Sequence, residues 1–189
     1  MDCTLCKGKT CRSLVSCGNE AFETAEILEA YQETSIQDGI QAAARLVDNG
    51  RAGTLSRIEE IAEFALDRNW ARIGLAYCYG MEAEATMVSR ILRARGLRME
   101  AVSCTTGALP QEEVNAQSQL HKVSCNPLGQ AAQIRSAKVD LVVTMGLCLG
   151  HDILFQQALE GTPCTTLVVK DRTSGHAPLV AIRRIAEAM

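Results

Sequence analysis

Aromatic residues are scarce in this chain, at 4% of its 189 residues, so platforms for stacking nucleic-acid bases are not expected. Excess positive charge is missing as well. A formal net charge of −3 removes the electrostatic case for binding nucleic acid or an anionic membrane. The basic stretch RILRARGLR, with Arg90, Arg93, Arg95 and Arg98, reads as the solvated face of a helix end. Long apolar runs are also lacking: LVVTMGLCLG is about half of what spans a bilayer as a helix. Asp2, Lys7, Lys9 and Arg12 interrupt the only place for a secretory signal. The expectation is a cytoplasmic protein with reduced thiols and no membrane partner.

Common catalytic signatures are absent too. CKGKT imitates the end of a phosphate-binding loop, but Cys3 stands where its first glycine belongs and no strand precedes it. CYGMEAE has one glycine where a dinucleotide fingerprint needs three. Neither H-E-x-x-H nor G-x-S-x-G occurs.

What the chain does have is cysteine. Nine are present: Cys3, Cys6, Cys11, Cys17, Cys78, Cys104, Cys125, Cys148 and Cys164. In a reducing compartment, and with an odd count, a disulfide framework is a poor account and metal binding leads. Cys3, Cys6, Cys11 and Cys17 have the spacing C-x2-C-x4-C-x5-C. The x2 step lets two thiolates converge on one ion, although the remainder matches neither a zinc ribbon nor the ferredoxin spacings. Lys7, Lys9 and Arg12 would favour thiolates there. The alternatives are a reactive C-x-x-C pair and unliganded structural thiols.

The rest of the chain divides by periodicity. Residues 1–19 read as a loop-rich knuckle and residues 20–189 as one α/β domain, helical over 20–69 and alternating strand and helix over 70–189. Phe22, Ala25, Ile27, Leu28 and Tyr31 mark one amphipathic helix face; Ile36, Ile40, Ala43, Ala44 and Val47 mark a second. Ser56 and Glu59 form a capping-box pattern before a third helix, which buries Ile58, Ile61 and Ala62 with Ala65 or Leu66. From residue 70, ARIGLAYC, RMEAVSC, VDLVVTMGLC and TTLVVK are short apolar runs separated by helical stretches. That alternation predicts a four-stranded, mostly parallel sheet flanked by helices, with Pro178 opening a last helix.

In such a sheet, ligands bind at the carboxyl ends of the strands. Cys78 and Cys104 end two strands, Cys148 closely follows a third, and Cys125 lies in the loop before the helix leading to it. These four are expected to share one site, against the alternative that buried cysteines simply pack as small hydrophobes. Strand ends lie about 4.8 Å apart, which suits an iron–sulfur cluster better than one zinc. Cys164 falls at the opposite edge and reads as structural. His151 and Asp152, with Lys170, Asp171, Arg172 and His176, gather at the carboxyl edge as candidate proton donors and acceptors or an anion clamp. His151, Asp152, Lys170 and His176 are expected to line one concave pocket.

The strings SCNPLGQA, GLCLGHD and TTLVVKDRTSGHAP, after a CTLCKGKTC N-terminus, resemble a microbial family of uncharacterised proteins described only as predicted metal-binding. The resemblance covers nearly the whole chain. It implies metal binding through cysteine and no established reaction. It implies roles for Cys3, Cys6, Cys11, Cys125, Cys148, His151, Asp152, Lys170, Asp171, Arg172 and His176. Cys164 departs from the family's apolar residue at that point. The sequence therefore reads as a cysteine-ligated metal protein holding zinc or an iron–sulfur cluster, with a redox or sensing role. The alternative is an enzyme taking a small anionic substrate beside the metal. The expected partner is a metal or small molecule, and a homo-oligomer stays open.

Overall fold

In the computed structural model, which describes residues 1–120 and 122–188, four short strands form one sheet in the order β2-β1-β3-β4. They are β1 (Arg72–Tyr77), β2 (Arg98–Ser103), β3 (Leu141–Met145) and β4 (Cys164–Val168), and every pairing is parallel. The two innermost strands are the most buried: β3 at all five positions and β1 at its four central ones.

Eight α-helices occur among the described residues: α1 (Thr24–Ala30), α2 (Thr34–Val47), α3 (Arg57–Asp67), α4 (Glu82–Ala94), α5 (Gln111–Val114), α6 (Pro127–Ser136), α7 (Leu149–Gln157) and α8 (Pro178–Glu187). The capping box forms as its spacing requires, with Glu59 Oε2 accepting from Ser56 N at 2.8 Å and Ser56 Oγ at 2.6 Å.

The pleat sends alternate strand residues to two separate cores. Ile73, Leu75, Leu141, Val143 and Met145 pack with Ile61, Ala62 and Ala65 of α3 and Ala85, Val88 and Leu92 of α4. Ala76 and Val142 pack with Ala131 and Ile134 of α6 and with Phe155 of α7. Gly74 is what allows α6 so close, since a Cβ there would stand 2.9 Å from Ile134 Cγ2.

The chain separates into two compact units, residues 1–45 and 46–189. This boundary differs from the one expected at residue 19. In the first unit only Ala42 is buried, and α1 buries nothing. Phe22, Ile27, Leu28 and Tyr31, expected as a packed face, are exposed, as are Ile36, Ile40 and Val47 of α2. The third helix packs nearly as expected: Ile61, Ala62 and Ala65 are buried, whereas Leu66 is exposed. Among the described residues no helix is long and apolar enough to cross a membrane.

Candidate functional site

The strand order places a topological switch point between β1 and β3: the chain runs outward from β1 to β2, then returns to β3 on the other side. The crevice at such a point, outside the carboxyl ends, is where open α/β sheets bind ligands. Here it is flanked by Cys78, Tyr79 and Gly80 after β1 and by Gly146, Leu147 and Cys148 after β3. Gly146 has φ +63° and lies against Met81 Sδ, so both its backbone angle and the room beside it demand glycine.

A cavity of about 850 Å³ opens at this crevice. Its chemistry comes from Cys78, Cys125, Cys148, Lys122, His151, Lys170, Arg172 and His176, three thiols among three cations and two imidazoles. The expected gathering at one sheet edge is thus found for the three thiols and for His151, Lys170 and His176. Cys104 lies behind the surface, 3% exposed, and does not line the cavity.

The sulfurs are connected. Cys125 Sγ donates to Cys104 Sγ at 3.6 Å, and Cys104 is held beside Cys78 by its amide, which donates to Tyr77 O at 2.9 Å. Tyr79 N donates to Cys104 Sγ at 3.4 Å. Lys170 Nζ donates to Cys78 Sγ at 2.9 Å, and Arg172 Nη2 to Cys148 Sγ at 3.3 Å. Burial alone would raise the Cys78 pKa, but the Lys170 hydrogen bond and the Gly80 amide outweigh it and the net direction is down. Burial pushes Cys104 up to about 12 and raises Cys125 as well. Cys78 is thus the most readily ionised of these three thiols, beside two that burial holds back from ionising.

Two of the expected edge residues bond within their own helix or loop instead. Asp152 does not line the cavity; its Oδ1 accepts from Gln156 Nε2 at 3.1 Å, one turn further along α7. Asp171 Oδ1 accepts from Thr173 N at 3.0 Å and Ser174 N at 3.2 Å, the turn that shapes the loop after β4. The same loop is closed by Asp171 N donating to His176 Nδ1 at 3.1 Å, with His176 at φ 68°. Cys164 is exposed and opens β4 at the amino edge, away from the cavity.

Two contributors were not among the expected site residues. Gln130 of α6 is fully buried, and its Nε2 donates to Tyr77 O at 3.1 Å and Val102 O at 2.7 Å. It thereby ties the ends of β1 and β2 together just before Cys78 and Cys104. The other is the 105–126 connection, which supplies Gln111, Asn115, Ser118 and Lys122 to the cavity wall. His121, between them, lies outside the described residues.

The N-terminal cysteines form a separate feature. Cys3, Cys6, Cys11 and Cys17 line one cavity of about 460 Å³ in a segment with no buried residue. Lys9 N donates to Cys6 Sγ at 3.4 Å, and Lys9 Nζ donates to Cys3 O, folding the C-x2-C step over on itself. Among the described residues no group of three or more His, Cys, Asp or Glu side chains stands in an arrangement that would hold a metal ion. The donor chemistry of both sets suits a soft metal. At the sheet edge, however, Lys170 and Arg172 hold two of the four thiols that a cluster would need, so those side chains do not fit a cluster as they stand.

Comparison with known proteins places the chain without assigning it a reaction. It is 32% identical over 187 residues to an uncharacterised protein of Methanocaldococcus jannaschii, covering 96% of this chain and 93% of that one. No solved structure matches it. Residues 16–167, which include Cys17 and the sheet-edge cysteines, match DUF1847, a family of proteins of unknown function, and the chain belongs to that family.

Proposed function

We propose that this is a cysteine-ligated metal-binding protein whose metal, zinc or an iron–sulfur cluster, is held by Cys3, Cys6, Cys11 and Cys17. The observation that carries the reading is that all four thiols of a 17-residue stretch line one cavity, with no buried residue to order that stretch otherwise. The amide of Lys9 on Cys6 Sγ supports it, because it fixes that sulfur within the turn of the C-x2-C step. Drawing the four sulfurs onto an ion would supply the order the segment lacks, as metal binding does in other small polar segments. Bound zinc would contribute folding energy, and a cluster would contribute one-electron chemistry. The test is elemental analysis of anaerobically purified parent and Cys6→Ser chains. Metal retained in full by the variant would overturn the assignment.

A second reading, an enzyme taking a small anionic substrate at the sheet edge, is favoured by a different observation. Lys170, Arg172, His151 and His176 converge on a cavity at the switch point, large enough for a small molecule. Protection of Lys170 from acylation by a candidate carboxylate or phosphate ester tests it. Unchanged acylation across a panel of such anions would count against it.

A further inference from the structure

Beyond either reading, the sheet edge holds an ordered row of sulfurs. It begins at Lys170 Nζ, 2.9 Å from Cys78 Sγ, continues to Cys104, which the amide bonds to Tyr77 O and from Tyr79 N hold against the residues either side of Cys78, and ends at Cys125, 3.6 Å from Cys104. The three cysteines come from three different segments, the ends of β1 and β2 and the loop entering α6. Gln130, bridging Tyr77 O and Val102 O, fixes the first two side by side. Both ends of the row, Cys78 beside the ammonium and Cys125, line the cavity, while its middle member is 3% exposed.

We infer that Cys78, Cys104 and Cys125 form a thiol–disulfide exchange relay that reduces low-molecular-weight disulfides entering the sheet-edge cavity and ends as a Cys104–Cys125 disulfide. Cys78, held as a thiolate by Lys170, attacks one sulfur of a disulfide R–S–S–R. The S–S bond of the substrate breaks, one RS⁻ leaves, and a Cys78–S–S–R mixed disulfide forms. Cys104 then attacks the Cys78 sulfur and expels the second RS⁻. Cys125 next attacks the Cys104 sulfur, which returns Cys78 as a thiolate to Lys170. The protons of Cys104 and Cys125 pass to the two RS⁻ groups. In sum, one dithiol and R–S–S–R give one protein disulfide and two R–SH, with two electrons moving from protein to substrate.

The neighbourhood favours this order. The negative charge at Cys78 is one of the influences keeping Cys104 protonated, and mixed-disulfide formation removes it. Tyr79 N, already donating to Cys104 Sγ at 3.4 Å, is placed to stabilise the charge that then develops there. Bonding of Cys104 to Cys125 shortens their 3.6 Å separation to about 2.05 Å, a small side-chain movement.

The experiment treats the reduced full-length chain with oxidised glutathione under nitrogen, quenches by alkylation and maps tryptic peptides. Arg72, Arg98, Lys122 and Arg135 place Cys78, Cys104 and Cys125 on three separate peptides, apart from the N-terminal cysteines, so metal status at the knuckle does not enter the readout. The expected product is a crosslink between the Cys104 and Cys125 peptides without retained glutathione. Cys125→Ser should instead stop at a Cys78–Cys104 crosslink or at glutathione on Cys78. Cys78→Ser should slow the Cys104–Cys125 crosslink at least tenfold. Lys170→Met, which leaves every sulfur in place, should slow it severalfold. Parent chain carrying glutathione on Cys78 with no Cys104–Cys125 crosslink overturns the proposal. A crosslink formed at the parent rate in both Cys78→Ser and Lys170→Met also overturns it.

Discussion

Lys170 and Cys78 meet across the sheet: Lys170 Nζ lies 2.9 Å from Cys78 Sγ although Lys170 follows β4, Cys78 follows β1, and β3 runs between those strands. The contact requires the lysine side chain to reach over the carboxyl end of β3, above the crevice at the switch point. Arg172 makes the parallel contact with Cys148 at 3.3 Å from the same loop. The loop after β4 thus closes a cationic cover over thiols supplied by the other strands.

The Lys170 contact sets a pH dependence. The hydrogen bond favours the charged form of Cys78, so its removal in Lys170→Met raises the Cys78 pKa. At pH 7, alkylation of Cys78 by iodoacetamide should then fall severalfold, because less of the thiol is ionised. The two rates should converge as pH rises above the ordinary thiol range, where both chains carry the thiolate. Mass-spectrometric rates on the Cys78 peptide check this, and equal rates at pH 7 would contradict it.

Gln130 should matter although it was not among the expected site residues. Replacing it by leucine removes donors from Tyr77 O and Val102 O within a closed core. Tyr77 O keeps the Cys104 amide at 2.9 Å, so the loss is partial. Urea unfolding should register about 1–2 kcal/mol of destabilisation. A midpoint unchanged from the parent would show that the bridge contributes nothing.

Gly146→Ala tests the backbone at the crevice. The added methyl meets Met81 Sδ, and alanine must adopt φ +63°. Together these should cost at least about 2 kcal/mol in chemical denaturation. A substitution tolerated without loss would mean that Met81 and the β3 turn move aside freely.

Much of this arrangement was legible in the sequence because it follows from local pattern. Short apolar runs separated by helical stretches gave the parallel sheet, and cysteines at the ends of those runs had to arrive at one edge. The order β2-β1-β3-β4 makes the three cysteine-bearing strands neighbours, as the shared site required. Other parts were hidden for physical reasons. Periodicity marked Phe22, Ile27, Leu28 and Tyr31 as one face of α1, but an apolar face does not specify what covers it, and these residues are exposed. Asp152 and Asp171 were chemically suitable and adjacent in sequence to cavity residues. Each is instead bonded to its own helix turn or loop, because short carboxylates compete well for nearby donors. Gln130 lay inside SCNPLGQA, yet its role depends on two carbonyls 28 and 53 residues away in the chain. No local signal announces such a bridge.

The most direct test of metal binding is a single anaerobic preparation of the full chain, divided between elemental analysis and a visible spectrum and compared with Cys6→Ser. The account predicts zinc or iron near one site per chain in the parent, with absorbance only if the metal is a cluster, and loss of that metal in the variant. A parent chain free of zinc and iron, or a Cys6→Ser chain with the same metal content, would contradict it.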